Sequence, residues 1–181
     1  AIDEHLSRLE RSAQALQLSL GYTKARWIAL IEEGLRRSNL PETKIYLQIT
    51  RGQAPRDHPF PAELSPTTVL TFRELHPLDL SVRQAGVQAI LLEDIRWGRC
   101  DIKSVNLLAN VLARQRAKEA GVFEAILLRD GAVTEGSVSN VMVVQNGTIL
   151  TAPEGPRILS GVTRAKVLEL AKKEGIPVAE T

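Results

Sequence analysis

The segment "RCDIKSVNLL" (99–108) sets one lysine, Lys103, between Ile102 and an apolar, helix-like run. A lysine is a nucleophile only when uncharged. Partial burial disfavours the ammonium form, lowers its pKa and suits the residue to Schiff-base chemistry with a carbonyl compound. A lysine that snorkels from a strand end to the surface fits the same spacing. In "VTEGSVSN" (133–140), Glu135 ends a strand-like run, Gly136 permits a turn, and the small polar residues Ser137, Ser139 and Asn140 follow. A carboxylate there can accept a proton or hold a cationic ring nitrogen; a solvated hairpin corner reads the same way.

Three further groups have chemical potential. In "GPRILSGVTR" (155–164), Ser160 is placed to cap a helix that begins near Thr163. Free backbone N–H groups at such a start form an anion site, and Thr163 adds a hydroxyl. The stretch is not a P-loop, because its glycine spacing is one residue too long and Val162 stands where lysine belongs; a plain capped helix is the alternative. In "APRDHPFP" (54–61), Arg56 and His58 fall on one side of an extended segment stiffened by Pro55 and Pro59. Arginine can grip a carboxylate through two parallel hydrogen bonds, and a basic surface loop is the competing reading. Arg8 lies on the first helix beside its apolar stripe, where a solvent-facing side chain is the default.

These residues need elements to hold them. Leu6, Leu9, Ala13, Leu16 and Leu20 recur at helical steps, which predicts a helix over 3–20. Trp27, Ile28, Ile31 and Leu35 repeat the pattern until Asn39-Leu40-Pro41 ends it. Strands are predicted at 44–50, 68–75 and 86–94, with a Pro/Gly-rich loop over 51–61 and a linker over 76–81. Helices follow at 105–120, with Gly121 as its stop, and at 163–174. Between them, Asp130-Gly131 and Asn146-Gly147 are two-residue hairpin signals that require positive φ. The pattern divides the chain into a small N-terminal α/β domain, 1–77, and a larger C-terminal domain, 78–181.

Bulk properties narrow the class. The net charge of +2 over 181 residues is too small and too dispersed for a nucleic-acid partner. Apolar runs fall short of a bilayer span. A single cysteine, Cys100, allows no intrachain disulfide and suits a cytoplasmic location. The three histidines are scattered, and no metal-site spacing is present. The chain begins at Ala1 and stops at Thr181 just after a strand-like run, so the expectation is of a piece lacking both chain ends.

Taken in order, "DEHLSRLERSA", "ITRGQAPRDHPFP", "EDIRWGRCDIKSVNLLANVLARQRAKEAG", "EAILLRDGAVTEGSVSNV" and "ILSGVTR" resemble the class IV (fold type IV) pyridoxal-phosphate aminotransferases. The likeness runs over essentially the whole chain, and "PR-H-FP" together with "RCDIKS" resembles the D-amino-acid branch. The resemblance implies an α/β (α+β) two-domain fold and transamination between D-amino acids, such as D-alanine, and 2-oxo acids. It implies pyridoxal 5'-phosphate held as an aldimine on Lys103, with Glu135 paired to the pyridine nitrogen. Arg8, Val162 and Thr163 would bind the phosphate, Ser139 and Asn140 would line the cofactor, and Leu159 would pack on its ring. Arg56 and His58 would bind the substrate α-carboxylate, reaching into the neighbouring subunit of a homodimer. Two alternatives stay open: an aminodeoxychorismate lyase-type enzyme on the same cofactor, and a non-catalytic fragment. The sequence departs from the family pattern at Val138, where serine is usual, and at Gly98, where a bulkier residue is usual.

Overall fold

The computed structural model describes residues 1–63 and 65–181. Its contacts divide the chain into two compact units. One comprises Leu9–Asp79 with Ile2, and the other comprises Leu80–Thr181 with Ala1 and Asp3–Arg8. No helix among the described residues is long and apolar enough to cross a membrane.

The first unit contains most of α1 (Ile2–Ala15), α2 (Lys24–Ser38) and an antiparallel pair, β1 (Thr43–Thr50) and β2 (Thr67–Glu74). The register runs from Thr43 opposite Glu74 to Thr50 opposite Thr67. α1 stops short of the expected Leu20. Gln17 turns left-handed at φ 51°, and the Leu18 N–H closes back onto the Ala13 carbonyl at 2.8 Å. That closure ends a helix whatever apolar pattern continues beyond it. Thr23 caps α2 by accepting from the Arg26 N–H, and Asn39 ends it in the left-handed conformation. α2 buries Trp27 and Ile31. It approaches β2 so closely that a Cβ on Gly34 would lie 1.9 Å from the Phe72 ring, so only glycine fits there.

The second unit is built from two parallel crossovers. β3 (Ala89–Glu93) runs through α4 (Leu108–Glu119) to its parallel neighbour β4 (Glu124–Arg129), and β5 (Ala132–Gly136) adds antiparallel to β4. β7 (Thr148–Thr151) runs through α5 (Val162–Lys173) to parallel β8 (Val178–Glu180), with β6 (Val143–Gln145) antiparallel on the far edge of β7. A helix is the usual way to return a chain to a parallel strand. Ala113 and Ala117 of α4 pack on Ala125 and Leu127 of β4 to form the core. Small residues on the helix let it lie close to the strand. Both hairpins turn as expected: Asp130 and Gly131 have φ of 54° and 77°, and Asn146 and Gly147 have φ of 51° and 75°. The expected linker over 76–81 gives way at Leu80 to a short helix, α3 (Leu80–Ala85).

One irregularity matters for the site. Ile126 faces Gly136 but Leu128 faces Val133, so β5 carries one extra residue against β4. A regular strand would alternate its side chains between faces; here Thr134, Glu135 and Gly136 are all buried. The bulge turns both Thr134 and Glu135 inward.

Candidate active site

The second unit holds an open cavity of about 1150 Å³. Lys103, Glu135, Arg8 and Leu159 line it, as do Ser139, Asn140, Val162 and Thr163. Each comes from a different local device. Lys103 lies on neither helix nor strand. It follows a turn anchored by buried Cys100 and Ile102, and the Cys100 N–H donates to the Pro156 carbonyl at 2.8 Å. That bond ties the lysine segment to the loop leading into α5. Burial holds the Lys103 amine below its ordinary pKa; the nearby Arg8 charge adds to the effect and Glu135 opposes it. Its side chain is nonetheless exposed to the cavity, so a small molecule can reach it.

Glu135 is 6% exposed. Its Oε1 accepts from Arg96, and its Oε2 accepts from Asn140 Nδ2 and the Leu159 N–H, both at 3.0 Å. Burial raises the Glu135 pKa, against the donors from Leu159 and Arg96. Arg96 was not singled out from the sequence, yet it is the hub of this region. Its Nε and Nη2 grip Asp94 Oδ1 and Oδ2 at 2.9 and 2.7 Å while Nη1 reaches Glu135. Arg129 reaches the same Asp94 at 3.1 Å. Two carboxylates thus face two guanidinium groups, an arrangement that keeps buried charges paired. A signal for the pair was present. Asp94 and Arg96 directly follow an apolar strand, where buried charges need partners.

Burial alone would raise the Asp94 carboxyl, but hydrogen bonds from Arg96 and Thr134 outweigh it and hold the group at about 2, below its ordinary 3.8. The unfolded chain therefore binds the proton first. The stabilisation from Asp94 is present above pH 3.8 and is lost as pH falls towards about 2. Denaturant titrations across that range should show a shallower loss of stability in Asp94→Asn than in the parent.

Arg8 is 8% exposed rather than solvent-facing. Its Nη1 donates to the Ser160 carbonyl at 3.2 Å, and its Nη2 meets His5 Nδ1 at 3.3 Å. An arginine has no acceptor, so His5 must accept there with a neutral Nδ1. Ser160 does not cap α5. The N-cap is Gly161, and no side chain caps it. The start of the helix is therefore left open to an anion beside Val162 and Thr163. Gly161 is required because Asn140 crosses at this point: a Cβ would lie 2.0 Å from Asn140 Oδ1. Asn140 also donates to the Leu159 carbonyl at 3.0 Å, so it joins the Glu135 carboxylate to the loop before α5. Gly161→Ala should displace Asn140 and cost about 1–3 kcal/mol of unfolding free energy, the penalty for stranded buried polar groups, measurable by urea denaturation.

The turn after Glu135 is fixed from below. Glu124 Oε1 accepts the Val138 N–H at 2.8 Å, and its Oε2 accepts the Ser139 hydroxyl at 2.9 Å. Ser139 lines the cavity but directs its hydroxyl to Glu124. Gly136 does not serve through positive φ; a Cβ there would meet Ser139 Oγ at 2.5 Å and Glu124 Oε1 at 2.6 Å. Val138 is 72% exposed and offers only its backbone to this network. Arg56 and His58 belong to the first unit, on the exposed loop between β1 and β2.

Known proteins resemble the chain over nearly all of its length. The chain is 44% identical to a D-alanine aminotransferase of Bacillus licheniformis over 99% of its length and 63% of that protein's. It is 41% identical to a D-alanine aminotransferase of Staphylococcus haemolyticus, again over 99% of the chain and 64% of the relative. The chain therefore spans less than two thirds of the curated relatives it matches. Among solved structures, a T.th. branched-chain amino acid aminotransferase with pyridoxamine 5'-phosphate superposes with a TM-score of 0.89 at 27% identity, over 99% of this chain and 61% of that one. The family described as amino-transferase class IV matches residues 1–181, and the chain belongs to it.

Proposed function

We propose that the protein uses pyridoxal 5'-phosphate to transfer amino groups between D-amino acids, such as D-alanine, and 2-oxo acids. The observation that carries this reading is the convergence of Lys103, Glu135, Arg8 and the uncapped start of α5 on one cavity. The donor set fits the cofactor. A phosphate dianion suits open helix N–H groups with a buried arginine beside them. A carboxylate has about four acceptor positions, and Arg96, Asn140 and Leu159 occupy three on Glu135, which leaves room for a protonated ring nitrogen. The similar T.th. enzyme was solved with pyridoxamine 5'-phosphate.

When bound, this cofactor supplies an aldehyde that condenses with amines and a ring that withdraws electrons. Lys103 would hold it covalently, and burial, which lowers the pKa of its amine, favours the uncharged form that this requires. The Nζ of Lys103 would serve as the base that takes the proton from the Cα of the amino acid, and as the acid that returns one to the Cα of the product in the reverse half. Arg96 orients Glu135 and opposes the burial that raises its pKa, which favours a carboxylate facing the ring nitrogen. Arg8, Val162 and Thr163 hold the phosphate, Ser139 and Asn140 flank the cofactor, and Leu159 packs against it. Arg56 and His58 bind the substrate α-carboxylate in the neighbouring subunit of a cytoplasmic homodimer. The preference for D-substrates rests on the two D-alanine aminotransferases.

The test is pyruvate formation by protein supplied with the cofactor. D-alanine should yield more than one equivalent of pyruvate per site only when 2-oxoglutarate is present to accept the amino group, and L-alanine should not. Pyruvate released from aminodeoxychorismate without an acceptor would instead assign a lyase. Activity with none of these would leave a non-catalytic fragment.

A further inference from the structure

The loop carrying Arg56 and His58 is held by a residue that the proposed chemistry does not use. Arg51 leaves β1 at the neck of this loop and turns its guanidinium onto the end of α1. Its Nη1 donates to the Gln17 carbonyl at 2.9 Å, and its Nη2 donates to the Leu16 carbonyl. These acceptors are available because α1 ends by folding Leu18 back onto Ala13, and the last carbonyls of a helix have no partner within it. The same guanidinium lies 3.6 Å from the centre of the Phe60 ring. Phe60 is itself 56% exposed. Beside it, Gly52 has φ 101°, and a Cβ there would lie 2.3 Å from the Ser65 carbonyl oxygen, so the two sides of the neck touch.

The consequence is geometric. Stacking Phe60 on Arg51 closes residues 51–60 into a smaller loop that contains Arg56 and His58. Pro55 and Pro59 stiffen it further, and the His58 N–H is fixed on Asp57 Oδ1 at 2.7 Å. A closed loop loses less entropy when its side chains engage a ligand.

We propose that Arg51 is a positioning residue for substrate binding: through Phe60 and the end of α1, it presets the loop that offers Arg56 and His58 to an α-carboxylate. This rests on the reading of Arg56 and His58 as substrate ligands. Loss of an exposed cation–π contact and its anchoring bonds should raise KM for D-alanine and 2-oxoglutarate about three- to thirty-fold, with kcat and the absorbance of the bound cofactor little changed.

The experiment is a mutant cycle in the cofactor-loaded protein. Arg51→Gln and Phe60→Ala are each placed in the parent and in an Arg56→Ala/His58→Ala background. The proposal expects either change to raise KM in the parent and to add nothing in the double-alanine background, with Arg51→Lys recovering part of the loss. A KM unmoved by Arg51→Gln and Phe60→Ala, or raised equally in both backgrounds, overturns the positioning role and leaves the substrate reading intact. If Arg56→Ala/His58→Ala itself leaves KM unchanged, the substrate reading fails and this role fails with it. Phe60→Ala keeps the test decisive should Arg51→Gln fail to fold, because it removes the stack without stranding the α1 carbonyls.

Discussion

Lys103→Ala is expected to lower amino transfer from D-alanine by about 10⁴-fold, the upper range for a positioned proton-transfer group, and to abolish the absorbance of covalently held cofactor. Two roles fall together. On the proposed mechanism, the chain loses both the amine that would capture the aldehyde and the base that would reach Cα. Arg8, the cation whose charge acts on Lys103, cannot replace it, because arginine keeps its proton at any working pH. His5 is engaged with Arg8. Folding should survive, because the lysine is exposed to the cavity and burial already disfavours its charge. Cofactor should still bind reversibly through Arg8 and the start of α5. A Lys103→Ala protein that transfers amino groups at more than a few per cent of the parent rate would contradict the assignment.

The second large effect concerns stability and catalysis together. Arg96→Met removes one of the two guanidinium groups from a cluster in which Asp94 is fully buried and Glu135 nearly so. Asp94 keeps Arg129, but Glu135 keeps only the uncharged donors Asn140 and Leu159. Breaking a buried ion pair on one side costs about 3–5 kcal/mol, which corresponds to a fall of about 6–20 °C in Tm for a chain of this size. Glu135 can avoid part of that cost by taking up a proton, since burial already raises its pKa. A neutral Glu135 no longer favours a protonated ring nitrogen, so kcat should fall as well. Differential scanning calorimetry and steady-state kinetics on the same preparation test both halves. The double variant Arg96→Met/Glu135→Gln should regain part of the Tm but none of the rate. A Tm within about 2 °C of the parent would mean that the cluster carries no such energy.

The elements that position these groups were largely legible because they obey short-range rules. Asp130-Gly131 and Asn146-Gly147 have few conformational options, and each produced the expected turn. The helix α2 follows from its apolar spacing, with Trp27 and Ile31 buried. α1 was read too long because an apolar repeat does not reveal a left-handed residue such as Gln17. The site was legible where a residue's type is unusual for its place, as at Lys103 and Glu135. It was not legible where the role depends on partners far along the chain. Arg96 meets Glu135 across 39 residues, and Arg8 meets Ser160 across 152. Ser160 was read as a helix cap because serine is a good one. The structure gives that place to Gly161, since the Asn140 side chain leaves no room for a Cβ. The bulge in β5, which turns both Thr134 and Glu135 inward, has no local signature either, because alternation in the sequence cannot announce its own interruption.

The most direct test of the central claim is chemical trapping. Cofactor-loaded protein is reduced with borohydride and digested with trypsin, and the phosphopyridoxyl group is located by peptide mass. The account predicts the added mass on Lys103, in a peptide running from Cys100 to Arg114 because the modified lysine resists cleavage. Label on another lysine, or none after reduction, would contradict it.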